Sequence, residues 1–285
     1  MGGDVKFDSG APAMKTVLQS ACAMWILVGL GPTFAADIPL KAPVYKAPEA
    51  PWLTGIYVGA NVGYSWGSSS TNVTFTTPPA VGAFGAASDF SMNGAIGGLQ
   101  AGYNWQHDRW VLGLETDIQL SEQAGGATYT CPGAFCALGT TLPGGTAAFP
   151  GMLSFGQRLE WFGTLRGRIG NTFISPTWLT YVTGGLAYGS IDSSGTLSGF
   201  SGVGAPVVTR FASETTKVGW TLGVGLEGRI VGNWTGKIEY LYIDFGTISF
   251  NAANTLAANP SPIFASVNSH ITDSILRIGV NYQFH

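Results

Sequence analysis

The chain has 285 residues, 13 Lys+Arg against 16 Asp+Glu, and a formal net charge of -3. Charged residues make up only 10%, where a soluble domain carries roughly 25%. This excludes an ordinary soluble surface, and the lack of a basic cluster excludes a nucleic-acid partner. Aromatics at 12% and apolar residues at 45% exclude a disordered chain.

In chain order, residues 1–13 read as an upstream extension. Met14-Lys15, the apolar stretch Val17 to Gly31 and the small residues around Thr33-Phe34-Ala35 predict a secretory signal peptide over 14–35. Cys22 is not read as a lipidation site, because the apolar run mostly follows it. Residues 36–51 form a proline-rich arm, expected to be extended and solvated in the periplasm. Its Lys41 and Lys46 could meet an anionic polymer, but a plain spacer is the simpler reading. Past about residue 35 no apolar run approaches the ~20 residues of a membrane helix.

From Trp52 the chain alternates with a period of two, the signature of strands with one apolar and one polar face. Eight such segments are predicted. The first sets Ile56, Val58, Ala60, Val62, Tyr64 and Trp66 against Gly59, Asn61, Gly63 and Ser65. The second and third centre on Leu99–Trp105 and Trp110–Leu120. The fourth sets Trp161, Leu165 and Ile169 against Glu160, Thr164, Arg166 and Arg168. The fifth, about 177–190, places Trp178, Val182, Leu186 and Tyr188 outside. The sixth and seventh carry Lys217, Glu227 and Arg229, then Lys237 and Glu239, on their polar faces. The last sets Leu276, Ile278, Val280, Tyr282 and Phe284 against Arg277, Gly279, Asn281 and Gln283.

Long Gly/Ser/Thr-rich stretches at roughly 67–92, 122–153, 192–213 and 247–271 are expected to be loops. Tight turns are expected near His107-Asp108, Asn171–Pro176 and Val231-Gly232-Asn233. Long loops on one rim, short turns on the other and an even strand count predict an all-β fold. It is a closed, antiparallel, up-and-down eight-stranded barrel over 52–285, in the outer membrane of a Gram-negative cell. Both termini are then periplasmic and the long loops extracellular. Trp52, Trp66, Trp105, Trp110, Trp178, Trp234 and Phe284 are expected in two aromatic girdles. Hydrocarbon offers no hydrogen bonds, so the first and last strands must pair.

The polar face is expected to build a lumen charge network from Glu115, Asp117, Glu160, Arg166, Arg168, Lys217, Glu227, Arg229, Lys237, Glu239 and Arg277. Eight strands enclose a space that side chains can fill, so a plugged lumen is favoured over a lined channel. Cys131 and Cys136 of the exported chain are expected to form a small loop disulfide. No catalytic, metal or cofactor site is expected. Gly223-Val-Gly225-Leu-Glu-Gly228 matches a dinucleotide fingerprint only by letter, because strand alternation runs through it. Ser269, His270 and Asp273 give a weak hydrolase hint, and haem ligation by His270 or Tyr129 is not adopted.

The arm after Ala36-Asp37-Ile38-Pro39, Trp52 to Gly67, Tyr181 to Gly189, Gly219 to Glu227, Lys237 to Gly246 and the closing Leu276–Phe284 together carry a resemblance. The chain resembles the small outer-membrane proteins of alphaproteobacteria, the opacity-porin-like or OmpA-like eight-stranded barrels of brucellae and rhizobia. Ending on His285 after Phe284, and the Cys131–Cys136 pair, depart from that pattern. The resemblance implies a structural protein that supports envelope integrity and presents surface loops. It implies a small-solute porin as the alternative, with a haemin-binding or lipid-modifying barrel behind it. It further implies that Tyr282 and Phe284 belong to the signal read by the barrel-assembly machinery. Outer-membrane lipids, lipopolysaccharide and host or environmental surface ligands complete the implied partners.

Overall fold

The computed structural model describes residues 52–76, 83–132, 141–142, 145–146, 151–200, 206–254 and 263–284. The extension, signal peptide, arm and Cys136 lie outside them. The long strands are β1 (Gly55–Thr76), β2 (Ala83–His107), β3 (Trp110–Cys131), β6 (Gly151–Ser175), β7 (Trp178–Phe200), β8 (Pro206–Val231), β9 (Trp234–Asn254) and β10 (Ile263–Phe284). Two short strands, β4 (Thr141–Leu142) and β5 (Gly145–Thr146), pair only with each other. The long strands close into a ring in the order β1-β10-β9-β8-β7-β6-β3-β2, antiparallel throughout. Ile56 sits opposite Phe284 and Tyr64 opposite Leu276 where the first and last strands join.

Two aromatic belts bound the apolar outer wall. Near the short turns, the proximal end, Trp110 packs on Phe173 and Tyr282 on both Trp234 and Phe284. At the other belt Tyr64 packs on Trp66, Trp161 on Tyr188 and Trp220 on Tyr242. From Ile56 to Trp66, outward residues are apolar and exposed while inward Tyr57, Asn61 and Ser65 are buried. That segment, about 11 residues at ~3.3 Å each and tilted ~40°, rises roughly 28 Å, close to the apolar band a barrel presents to lipid.

Above Trp66 the alternation persists but its sense inverts. Ser68, Ser70, Asn72, Thr74 and Thr76 now face out, and Val73 and Phe75 face in, buried. The strand has left lipid for water, so the polar face turns outward and the apolar face inward. The expected long loops are therefore largely continued strand: β1 runs on to Thr76 and β2 starts at Ala83. A Ser/Thr/Gly-rich composition hid this, because an inverted alternation of small residues reads as low complexity.

The ring does not stay closed to the distal tip. β2 pairs with β3 only up to Asn93 and Ala124, and β8 with β9 only up to Trp220 and Asp244. Beyond those points the strands form two four-stranded sheets, β2-β1-β10-β9 and β3-β6-β7-β8. Between them lies an apolar core of Val73, Phe75, Ala252, Ala265 and Val267 from one sheet and Tyr129, Cys131, Leu153, Phe155 and Leu197 from the other. Large rings that meet across the gap, such as Phe155 on Phe250 with centroids 5.1 Å apart and planes tilted by 35°, suit facing sheets better than a round wall.

The proximal mouth is capped. Leu53 is fully buried against Val111, Leu179 and Tyr181. Its amide donates to Gln106 Oε1 (3.2 Å), and Trp52 Nε1 reaches the Pro176 carbonyl at 2.7 Å. Trp52, half-buried, thus belongs to this cap and not to a strand end in the proximal girdle: the turn before β1 folds over the mouth and buries Leu53.

Candidate functional site

In the lower lumen, residues of the same parity from six strands converge on one buried ion layer. Arg166 from β6 lies opposite Glu115 of β3 in the ladder and pairs with it. Arg166 also donates to Asp117 Oδ2 and Glu239 Oε1, both at 3.0 Å, and to Thr164 Oγ1 at 2.9 Å. Arg277 from β10 reaches Glu239 Oε2 (2.8 Å) and Asp117 Oδ2 (2.9 Å). Lys237 from β9 donates to both oxygens of Glu115, at 2.9 and 3.0 Å. Arg168 joins Glu227 of β8 at 3.0 Å and Asn104 Oδ1 at 2.8 Å. Four cations (Arg166, Arg168, Lys237, Arg277) and four carboxylates (Glu115, Asp117, Glu227, Glu239) cancel formally, and all are buried.

The inward tyrosines complete the layer. Tyr57 donates to Glu115 (2.6 Å) and Tyr181 to Glu239 (3.0 Å). The Arg168 guanidinium sits 4.8 Å from the Tyr57 ring centroid and 5.2 Å from that of Tyr181. Glycine makes this possible: a Cβ on Gly102 or Gly225 would run into the Tyr57 or Tyr181 ring. Asn61, Gln100 and Asn281 extend the chain of donors, with 2.9 Å and 2.5 Å bonds through Gln100, to Glu227. Strand alternation puts Asn104 and Gln100 on the inward face, but the expected network was chosen by formal charge alone; Tyr57 and Tyr181 share that parity without having been assigned to it.

Directly distal to the ions is an apolar layer that includes Ile96, Phe162, Ala187, Leu241, Ile243 and Ile275, each at most 4% exposed. Polar side chains are set into its distal edge and beyond: Ser65 lies opposite Ile275 and Asp273 opposite Ile243 in the ladders. Asp273 accepts from Ser65 and from Gln123 (2.9 Å), and Ser69, Thr71, Ser269 and Gln157 hydrogen-bond one another. The two-sheet apolar core closes the top.

Three residues expected in the lumen network stand outside it. Glu160 is skipped by a bulge between Leu159 and Trp161 and turns outward. One extra residue reverses parity, so the alternation read through Trp161 does not extend to it. Lys217 has the inward parity but lies beyond the point where β8 parts from β9, and its Nζ donates to the Thr247 carbonyl at 3.0 Å. Arg229 sits at the proximal rim, exposed, and closes its own turn by Nε to the Gly232 carbonyl at 2.9 Å.

Cys131 is buried and disulfide-bonded; Cys136 lies outside the described residues. Tyr282 and Phe284 face outward at the proximal end of β10. Ser269 and Asp273 point inward and are buried, while His270 points out, its Nε2 3.6 Å from Asp244. The hydrolase grouping is therefore not assembled: neighbours along a strand face opposite sides. Tyr129 is buried inside, so it and the outward His270 do not face one space. Gly223, Gly225 and Gly228 lie within β8, with no helix start beside them.

A closed eight-stranded antiparallel ring with an apolar outer belt, two aromatic girdles and a buried ion layer defines an outer-membrane β-barrel. The chain belongs to the family described as the outer membrane protein beta-barrel domain, which matches residues 40–284. It is 34% identical over 278 residues to the 31 kDa outer-membrane immunogenic protein of Brucella melitensis, covering 95% of this chain and 100% of that protein. It is 28% identical to the 25 kDa outer-membrane immunogenic protein of Brucella abortus, over 88% of this chain and 90% of the relative. The 22 kDa outer membrane protein of Rhizobium leguminosarum is 27% identical, over 72% and 69%. Among solved structures, OprG of Pseudomonas aeruginosa matches with a TM-score of 0.39 and 12% identity, over 81% of this chain and 97% of OprG. The protein is thus one of the alphaproteobacterial small outer-membrane proteins, with an outer-membrane location.

Proposed function

We propose that this barrel is a non-conducting structural protein of the outer membrane, anchored in lipid by its girdles and presenting its distal sheets at the cell surface. The observation that carries the reading is the apolar layer through Ile96, Phe162, Leu241 and Ile275, stacked on a buried, charge-balanced ion layer. An ion stripped of water to pass it would face a transfer cost of order 20 kcal/mol before compensation. Both termini then face the periplasm. The partners are outer-membrane lipids and lipopolysaccharide around the wall, the barrel-assembly machinery at the Tyr282–Phe284 end, and host or environmental surfaces at the distal sheets. On this reading the protein supports envelope integrity and performs no enzymatic step.

Single-channel recording in planar bilayers tests it. Purified mature protein should give no steady current, or only rare brief openings. A sustained, ohmic conductance from every inserted molecule would identify the small-solute porin instead.

A further inference from the structure

Two seams flank the distal sheets, β2/β3 and β8/β9. At the β2/β3 seam no ladder joins the described residues beyond Asn93 and Ala124. One side-chain bond crosses it, from Tyr129 Oη to the Ser88 carbonyl at 3.4 Å. At its foot a Cβ on Gly125 would still run into the Ser91 carbonyl; beyond it the β3 edge, Gly126-Ala127-Thr128-Tyr129-Thr130, has neither a charge nor a proline, and the facing stretch 85–90 of β2 has only Asp89. Exposed strand edges are ordinarily blunted by lysine, proline or short length; this one is left ready to pair.

Below the seam, on the lipid side, the wall is hollowed. Ala60, Ala101 and Thr116, with Val58, Leu99 and Ile118, floor a groove of about 660 Å³ across β1, β2 and β3, bordered by Val280, Tyr282 and Trp234 and by Tyr188. The small side chains on its floor, Ala60, Ala101 and Thr116, let two membrane surfaces approach closely there. The unblunted edge and the hollow wall therefore lie on one side of the barrel, one above the other.

We propose that this side is a docking surface for a second copy of the chain, with β3 of each copy pairing with β2 of the other above the membrane. The girdles hold both copies at one height and the same way up. A two-fold axis along the membrane normal then sets identical strands parallel, the less stable arrangement, but sets β3 antiparallel to the partner's β2. Continuing the existing register, Asn93 opposite Ala124, places Thr128 against Asp89 and joins no like charges. The inference rests on the membrane placement and not on a sealed lumen, so a conducting barrel would leave it standing.

The test uses the full mature chain in lipid nanodiscs. Native mass spectrometry should find a dimer. One preparation carrying Thr128→Cys and another carrying Asp89→Cys, reconstituted together and oxidised, should give a disulfide-linked pair, and neither alone should. Thr128→Lys/Thr130→Lys, which adds outward charge to the edge, should abolish the dimer while keeping the heat-dependent gel mobility of a folded barrel. If that variant does not fold, the cysteine pair alone decides. A wild type that stays monomeric at every protein-to-lipid ratio, or a mixed preparation without the cross-link, overturns the proposal, whatever else binds the edge.

Discussion

Replacing Arg166 by Met removes the most connected cation of the lumen. Arg166 is fully buried and touches Glu115, Asp117 and Glu239. Hydrogen bonds to charged groups are worth about 1.5–3 kcal/mol each, so three of them suggest a gross loss above ~5 kcal/mol. No carboxylate is left without a cation, however. Arg277 still holds Asp117 and Glu239, and Lys237 still holds Glu115. The expected cost is therefore near the lower end for a broken buried pair, ~3 kcal/mol. Urea unfolding in phospholipid vesicles, followed by tryptophan fluorescence, measures it. Arg166→Met/Glu239→Gln should be more stable than the sum of its single variants predicts, because it removes one charge of each sign. A loss below ~1 kcal/mol for Arg166→Met, the range of an exposed pair, would refute the dry ion layer.

Ile278 faces lipid opposite Val62 and Ile238, midway between the girdles, whereas Leu276 lies beside Tyr64 and Tyr240 near the distal one. Ile278→Arg should cost ~2–4 kcal/mol and Leu276→Arg measurably less; equal costs in the same unfolding assay would contradict the belt's position. Phe162→Ala should lose ~3–5 kcal/mol from the apolar layer, and the barrel should remain silent in bilayers because the ion layer beneath is intact. Iodoacetamide should add nothing to the mature chain before reduction and two adducts after it, read by mass, if Cys131 closes on Cys136. Labelling without reductant would rule that pairing out.

Much of the wall was legible in the sequence because lipid imposes a hard rule. Outward residues between the girdles are held to apolar or small side chains, so Ile56 to Trp66 and Leu276 to Phe284 declare their faces without help from tertiary structure. The rule lapses at Trp66. Beyond it the environment changes sign, and Ser68 to Thr76 obey the opposite alternation with small residues that carry little contrast. A bulge is equally invisible, because an added residue leaves composition unchanged. That is why Glu160 looked inward. Lys217 and Arg229 kept their parity but lay past the ends of the ion layer, and parity says nothing about height. The tyrosines that clamp Arg168 were missed for another reason. An aromatic residue reads as wall, yet Tyr57 and Tyr181 stand opposite glycines that give their rings room inside.

The lipid face of β10 cannot tell one alignment from another. Sliding that strand two residues along β1 keeps Ile278, Val280 and Tyr282 outward and exchanges one apolar neighbour for the next. The same slide carries Arg277 about 7 Å from its present place, away from Glu239 and Asp117. The ion layer thus acts as a gauge of strand register, discriminating against slipped barrels that the membrane itself would accept. Exchange of all eight ions for apolar residues of similar size should then yield barrels that insert but give multiple sets of backbone NMR resonances. A single sharp set would show that register is fixed elsewhere.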